Sequence, residues 1–78
     1  MEFRKGELVV CTKKKKKDRL MCVVASDEKY VYVCDGKERL LNNPKRKNPK
    51  HIIKTNKQFS EDLLLTDRAL RKALSKEV

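Results

Sequence analysis

The 78-residue chain carries a formal net charge of +10 at pH 7, because 21 lysine and arginine residues outnumber 11 acidic ones. This length allows one domain with a small core. So large a positive charge on so small a body favours a polyanion as partner, with nucleic acid first and an anionic membrane surface second.

The same composition argues against several classes of protein. The chain has one histidine, no Ser-His-Asp spacing, no glycine-rich phosphate loop and no paired carboxylates in a strand, so we expect no enzyme activity. No apolar run approaches the roughly 20 residues that span a bilayer. The charged N-terminus is not followed by the apolar segment of a signal peptide, and we therefore expect a cytoplasmic protein.

Three cysteines, Cys11, Cys22 and Cys34, each lie inside an apolar, strand-like run. Their number is odd, no two form a CxxC pair, and a single histidine is present to complete a metal site. We therefore expect half-buried thiols in a reducing compartment, with neither a disulfide nor a bound metal.

A basic hairpin opens the chain after Gly6. Apolar runs at residues 8–11 and 20–25 are typical of strands, and they flank a stretch made almost wholly of cations. The pattern predicts two strands joined by an exposed loop of about six or seven residues. Because both faces of each run are apolar, we expect these strands to be covered on both sides or packed against the C-terminal tail.

The clearest strand covers residues 30–34, where two valines alternate with Tyr30 and Tyr32. We expect the valines to face the core. The tyrosines could stack on unpaired bases, or they could pack under the C-terminal helix or on an outer face of the sheet. Asp-Gly at residues 35–36 is a strong signal for a two-residue hairpin and predicts a fourth strand over residues 37–41.

Residues 45–50 form a predicted second cationic loop, stiffened by a proline on either side. A short fifth strand over residues 51–55 then closes a small barrel. Ser60 can cap a helical turn. Apolar residues at i, i+3 and i+4 predict a helix over residues 67–76, capped by Thr66 or by the aspartate that follows it. A helix of this length is marginal alone, so we expect it to pack on the barrel.

The two cationic segments carry the functional prediction. If they lie on one side of the barrel they form a clamp for phosphates, and about five contacts give a slope near −4.5 in log affinity against log salt. Arginines add bidentate contacts that lysine cannot make. The alternative is a merely solubilising surface. The candidate phosphate-binding residues are Lys13, Lys14, Lys15, Lys16, Lys17, Arg19, Arg39, Lys45, Arg46, Lys47, Lys50, His51 and Lys54.

The order and spacing of short motifs support a resemblance that covers most of the chain. The motifs are Gly6-Glu7-Leu8-Val9, Lys17-Asp18-Arg19, Val31-Tyr32-Val33-Cys34-Asp35-Gly36, Pro44-Lys45-Arg46-Lys47-Asn48-Pro49-Lys50-His51, and Leu65-Thr66 with Arg71-Lys72-Ala73-Leu74. The chain resembles the KOW-domain RNA-binding proteins, above all a small bacterial branch related to a large-subunit ribosomal protein of archaea and eukaryotes. Asp18 departs from the family pattern, which usually has a glycine there.

The resemblance implies a fold and a function. The fold is a five-stranded SH3-like barrel over residues 1–57, followed by a helical tail over residues 58–78. The implied function is binding of ribosomal RNA through the loops, with no enzyme activity and no cofactor. We expect a protein that is monomeric when free, with ribosomal RNA, and ribosomal proteins beside it, as partners.

Two other functions use the same features. SH3-like barrels often bind proteins, so the tyrosines could dock an acidic partner in the translation or transcription machinery. Nonspecific binding to DNA would use the same cations as binding to RNA. Nuclease treatment separates the first alternative from RNA binding, and competition between ribosomal RNA and duplex DNA separates the second.

Overall fold

The computed structural model describes residues 3–13 and 16–77, with the backbone alone for residues 12–13 and 16–19. The strands are β1 (Glu7–Lys13), β2 (Lys16–Ser26), β3 (Val31–Cys34), β4 (Lys45–Lys47) and β5 (Ile52–Gln58), and the C-terminal helix is α1 (Asp67–Ser75). Two 3₁₀ helices cover Pro49–His51 and Glu61–Leu64. The strands form one antiparallel sheet in the order β4-β3-β2-β1-β5. The prediction of a mainly β fold with five strands and a C-terminal helix is confirmed.

The basic hairpin is formed by β1 and β2, but its strands are longer than predicted. The ladder runs from the Leu8–Cys22 pair to the Lys13–Lys16 pair, with a bulge between Cys11 and Lys13. The predicted long loop is therefore wrong. A lysine run indicates exposure to water, and strand backbone can carry exposed lysines as well as a loop can.

The alternating segment forms β3, and its valines lie in the core as predicted. Val31 and Val33 are 1% and 0% exposed. The neighbouring tyrosines are half-buried. The alternation of side chains along a strand therefore separates the two residue types as the sequence pattern predicts.

The predicted fourth strand over residues 37–41 is wrong. Asp35 starts a tight turn instead, and its Oδ1 accepts hydrogen bonds from the backbone N–H groups two and four residues later, at 2.9 and 3.0 Å. Gly36 has φ +76° and lies so close to α1 that a Cβ atom there would contact the carbonyl oxygen of Asp67. The Asp-Gly pair correctly predicts a turn. Glycine is needed at this position because the backbone of α1 packs too closely against it to leave room for a Cβ atom.

The fourth strand of the sheet is β4, so the prediction of a loop at these three basic residues is also wrong. β4 pairs with β3 through Val33–Lys45, Tyr32–Arg46 and Val31–Lys47. It is the last strand in the sheet order, with β3 as its neighbour. Charged residues are common on such edge strands because one flank stays in water, and hydrophobic periodicity therefore fails to find them.

The fifth strand is longer than the predicted range of 51–55, since β5 continues to Gln58. Its register against β1 shifts between the Glu7–Gln58 and Val9–Lys54 pairs. Asn56 lies in this interval with φ +68°, a conformation that asparagine adopts more readily than most residues. The irregularity lets β5 pair with β1 as far as the first residue of β1.

One face of the sheet packs on a cluster drawn from four of the strands. The contacts come from β1, β2, β3 and β5, with one aromatic residue from the N-terminal segment. The members are Phe3, Val9, Cys11, Met21, Val23, Val31, Val33 and Ile52, all at most 5% exposed. This face is the main core.

The opposite face is covered by the C-terminal segments. Leu70 and Leu74 of α1 are 0% and 5% exposed, and they pack with Leu8, Cys22 and Cys34 of the sheet. Burial of a leucine side chain contributes about 1.5–3 kcal/mol. The prediction that β1 and β2 are covered on both sides, with the helix packed on the sheet, is confirmed.

Local capping signals locate the C-terminal elements. Thr66 Oγ1 accepts a hydrogen bond from Ala69 N at 3.1 Å, so this residue is the N-cap of α1 as predicted. Ser60 precedes the 3₁₀ helix, which confirms the helical turn, although its side chain makes no capping hydrogen bond. No helix in the described ranges has the length and apolar character needed to cross a bilayer.

The three cysteines are more deeply buried than predicted. Cys11 is 4% exposed, and Cys22 and Cys34 are both 0% exposed. The last two lie opposite each other in the β2–β3 ladder. Burial raises the pKa of each of these two thiols to about 12, because a thiolate loses its hydration in an apolar environment.

Candidate nucleic-acid interface

The first cationic segment lies at the end of the β1–β2 hairpin. In the backbone ladder Lys13 is opposite Lys16, and Arg19 is opposite Cys11. Residues 14–15 lie entirely outside the described part of the chain, and only the backbone is described for residues 12–13 and 16–19. The side chains predicted to contact phosphate in this segment therefore lie outside the described part of the structure. They belong to Lys13, Lys14, Lys15, Lys16, Lys17 and Arg19.

Part of the second cationic segment approaches this hairpin end. Ile52, the first residue of β5, pairs with Cys11, and the 3₁₀ helix just before it contacts β1. Because β5 runs antiparallel to β1, the chain preceding Ile52 extends in the direction in which β1 runs toward Lys13. Two exposed residues of that 3₁₀ helix, Lys50 and His51, are thereby brought to the same end of the sheet as the basic hairpin.

Asn48 fixes the local conformation of this 3₁₀ helix. Its Oδ1 accepts a hydrogen bond from Lys50 N at 3.0 Å, and its carbonyl oxygen accepts one from His51 N at 3.0 Å. Pro49 stands at the first helical position, where a missing N–H is tolerated. The cations are therefore held on a short capped element that begins two residues after β4 ends.

Lys54 lies further along β5 and contacts the fold itself. Its Nζ is 3.5 Å from Glu7 Oε2 and 4.9 Å from the centre of the Phe3 ring. Its side chain is 36% exposed, so the ammonium group can still meet a ligand. A pair this exposed contributes little to stability, about 0–1 kcal/mol.

The cations of β4 are divided between the two faces of the sheet. Lys45 and Lys47 pair with Val33 and Val31, the buried valines, and are half-buried. Arg46 pairs with Tyr32 on the opposite face. The second cationic segment is therefore not a single patch: its 3₁₀ helix lies near the basic hairpin, while its central arginine joins the tyrosines.

Arg46 and the two tyrosines form an open cleft of about 450 Å³ beside the turn that connects β2 to β3. The guanidinium carbon of Arg46 lies 4.5 Å from the centre of the Tyr30 ring, a cation–π contact. We call this site the tyrosine cleft. It is lined by Asp27, Glu28, Lys29, Tyr30, Tyr32 and Arg46.

Asp27 organises the tyrosine cleft through its carboxylate. Oδ1 accepts hydrogen bonds from the backbone N–H groups of Lys29 and Tyr30, at 2.8 and 2.7 Å, and Oδ2 accepts one from the Tyr32 hydroxyl at 3.1 Å. The N–H donors of Tyr30 and Lys29 hold the pKa of Asp27 below its usual range. Donation to this carboxylate raises the pKa of Tyr32, since it stabilises the neutral phenol.

Arg39 lies in the turn that follows β3. It is half-buried, and its carbonyl oxygen accepts hydrogen bonds from Asp35 N and Gly36 N, at 3.1 and 3.0 Å. The turn that holds it packs against the first turn of α1. The sequence predicts a phosphate contact for Arg39 because a guanidinium group can bind phosphate through two hydrogen bonds, and this stays a prediction.

The contact between Arg46 and Tyr30 was not predicted. It depends on the pairing of β4 with β3, which the sequence pattern does not reveal. Among the side chains that the structure describes, no group of three histidine, cysteine, aspartate or glutamate residues could hold a metal ion. No protein-family model matches the chain, and no curated protein is significantly similar to it.

Proposed function

We propose that the protein is a non-enzymatic RNA-binding protein of the KOW type, with ribosomal RNA as its target. The observation that carries the proposal is the meeting of two cationic segments at one end of the sheet. Arg19 pairs with Cys11, and Cys11 pairs with Ile52, so the exposed 3₁₀ helix before Ile52 stands beside the root of the basic hairpin. The net charge of +10 favours association with a phosphate backbone.

The proposed fold is an SH3-like barrel, and chain length supports closure of the sheet. β4 and β5 are its two edges, and a flat sheet of five strands would place them about 19 Å apart. The connection between β4 and β5 consists of residues 48–51, and three of these residues form a 3₁₀ helix. This connection can cover only about 14 Å from Lys47 to Ile52. The sheet must therefore curl, and the nearly equal dimensions of 27 × 27 × 24 Å agree with a closed shape.

The proposed mechanism is electrostatic positioning. Lysines neutralise phosphates and release condensed counterions, which makes affinity fall with salt at a slope of about −0.9 per contact for duplex-like charge density. Arg19 can hold a phosphate through two parallel hydrogen bonds, which adds orientation to charge. The barrel supplies a rigid base for the hairpin and the 3₁₀ helix, so the two groups of cations keep a constant separation.

The first test is recovery of the tagged protein from cell lysate at moderate salt, with and without nuclease, followed by sequencing of the RNA. We expect enrichment of large-subunit ribosomal RNA over its abundance in the lysate, and loss of that enrichment after nuclease treatment. A protein partner that survives nuclease, in the absence of RNA enrichment, would overturn the proposal in favour of a protein-interaction module.

The second test measures which lysines act. Replacement of Lys14, Lys15 and Lys16 by alanine together should weaken binding to a ribosomal RNA fragment and reduce the salt slope by about 2.7. The matched control replaces three exposed lysines outside both cationic segments, and we expect a much smaller change in slope from it. These control positions are Lys5, Lys37 and Lys76.

Equal losses in the two triple variants would mean that net charge alone governs binding, and the proposed clamp would then be wrong. Unchanged affinity in the hairpin variant would contradict the proposal directly. Equal competition by duplex DNA of the same length would replace it with nonspecific binding of nucleic acid.

A further inference from the structure

The tyrosine cleft has no role in the clamp described above. Tyr30 and Tyr32 are the only tyrosines of the chain, which has no tryptophan, and both line this one cleft. The two rings are half-buried and lie outside both hydrophobic clusters. Packing of the core therefore does not explain why the aromatic residues are gathered here.

The cleft is held in shape before any ligand arrives. Three hydrogen bonds to Asp27 fix the turn and the Tyr32 hydroxyl. Arg46 is fixed independently, because the β3–β4 ladder sets it opposite Tyr32. Ordering of aromatic and arginine side chains in advance lowers the entropic cost of binding.

The chemistry of this cleft suits a flat, electron-rich ring. Single-stranded bases stack on tyrosine rings and on the plane of an arginine guanidinium. Arg46 already lies in van der Waals range of the Tyr30 ring, which leaves Tyr32 and the outer side of the guanidinium to receive another ring. The volume of about 450 Å³ falls within the range of small-molecule clefts, about 300–1,000 Å³.

Two cations that line the cleft can meet the phosphate attached to a stacked base. Lys29 and Arg46 line the cleft together with the acidic residues Asp27 and Glu28, whereas Lys45 and Lys47 belong to the other face of β4. Both oxygens of Asp27 already accept hydrogen bonds, so this carboxylate is directed toward the protein. A peptide partner would use the same rings, but a backbone phosphate additionally uses the ammonium group of Lys29.

We propose that the tyrosine cleft binds one unpaired base of the bound RNA, stacked on Tyr32 and on the guanidinium of Arg46. This inference rests on the proposed RNA-binding function and adds selectivity to it. The cations at the hairpin end hold the phosphates, and the cleft selects RNA that offers an extruded base near its duplex. The molecule is only 27 Å across, so one RNA element about a helical turn long reaches both sites.

The test compares a perfect RNA duplex with the same duplex carrying one single-nucleotide bulge, at fixed salt. Stacking of one base on an aromatic residue contributes about 1–3 kcal/mol, so we expect the bulged RNA to bind about 5- to 150-fold more tightly. Tyr32→Ala should abolish this preference and leave the affinity for perfect duplex and its salt slope unchanged. Tyr32→Phe keeps the ring and should keep most of the preference.

Two further measurements keep the test decisive if Tyr32→Ala folds poorly. Arg46→Lys retains the charge but removes the planar group, so it should lower the preference for bulged RNA while barely changing the salt slope. Tyrosine fluorescence reports on this cleft specifically, because no tryptophan is present. We expect bulged RNA to quench it and perfect duplex to leave it unchanged.

The outcomes separate the two proposals. Equal, salt-dependent binding of bulged and perfect RNA overturns the base site and leaves the phosphate clamp intact. A preference for bulged RNA that Tyr32→Ala and Arg46→Lys both retain also overturns it, since the base is then read elsewhere. Absence of salt-dependent RNA binding refutes the clamp and, with it, this inference. Tyr32-dependent binding of an acidic protein, with no bulge preference, assigns the cleft to a protein partner instead.

Discussion

Replacement of Gly36 by alanine tests how the C-terminal helix is joined to the sheet. Gly36 has φ +76°, in the left-handed region that a residue with a Cβ atom rarely adopts. A Cβ atom at this position would contact the carbonyl oxygen of Asp67 and would lie 3.0 Å from the backbone nitrogen of Arg71. Both neighbours are helix backbone, so the clash cannot be relieved by rotation of a side chain.

Two costs combine in this variant. The left-handed conformation costs about 1–2 kcal/mol with a Cβ atom present, and moving α1 away from the turn costs about 1–3 kcal/mol. The expected loss of unfolding free energy is therefore about 2–5 kcal/mol. A domain of this size has a total stability of about 4–12 kcal/mol, so Gly36→Ala should remove a large fraction of it.

Urea denaturation followed by circular dichroism measures the effect. With a slope of about 1–3 kcal/mol per molar urea, we expect the midpoint to fall by at least about 0.7 M. Gly36→Asn is the matched control, since asparagine tolerates the left-handed region but keeps the Cβ atom. Its residual loss measures the contact with α1. A change of less than about 0.5 kcal/mol in Gly36→Ala would refute this account of the joint.

Two other predictions follow from the described contacts. Thr66→Ala should destabilise the protein by about 1 kcal/mol and Thr66→Ser by much less, because the serine hydroxyl keeps the N-cap bond; thermal unfolding of both variants checks this. Between about pH 8 and about pH 10 stability should fall by about 1 kcal/mol per buried thiol, because unfolded cysteines lose protons near 9 while folded Cys22 and Cys34 retain theirs to about 12. The double variant Cys22→Ala with Cys34→Ala should show a flatter pH dependence; an identical dependence in the two proteins would contradict the shift.

The elements that were predicted correctly carry their signal within a few residues. The apolar runs of β1 and β2, the alternation in β3 and the Thr66 cap of α1 are all local patterns. Each reflects a side chain that must be buried or a backbone group that must be satisfied nearby. Such requirements can be deduced from the order of residues alone.

The errors concern elements whose conformation is decided by distant neighbours. β4 consists of Lys45, Arg46 and Lys47, and no hydrophobic pattern marks it because it forms by pairing with β3 at the sheet edge. Gly36 contacts Asp67, which lies 31 residues later in the chain. The same limit applies to the site: the tyrosine cleft depends on the β3–β4 register, whereas the meeting of the 3₁₀ helix with the hairpin depends on the pairing of β5 with β1.

The placement of cations on the two edge strands bears on how the RNA-binding tests should be designed. β4 and β5 end the sheet, and lysines on edge strands discourage pairing with another chain because they carry charge to an otherwise open backbone ladder. Lys45 and Lys47 can therefore protect the fold and meet phosphate at once. An apolar replacement would mix lost RNA affinity with self-association. Glutamine at both positions removes the charge but keeps a polar edge, so loss of RNA binding in a variant that remains monomeric can be attributed to the missing phosphate contacts.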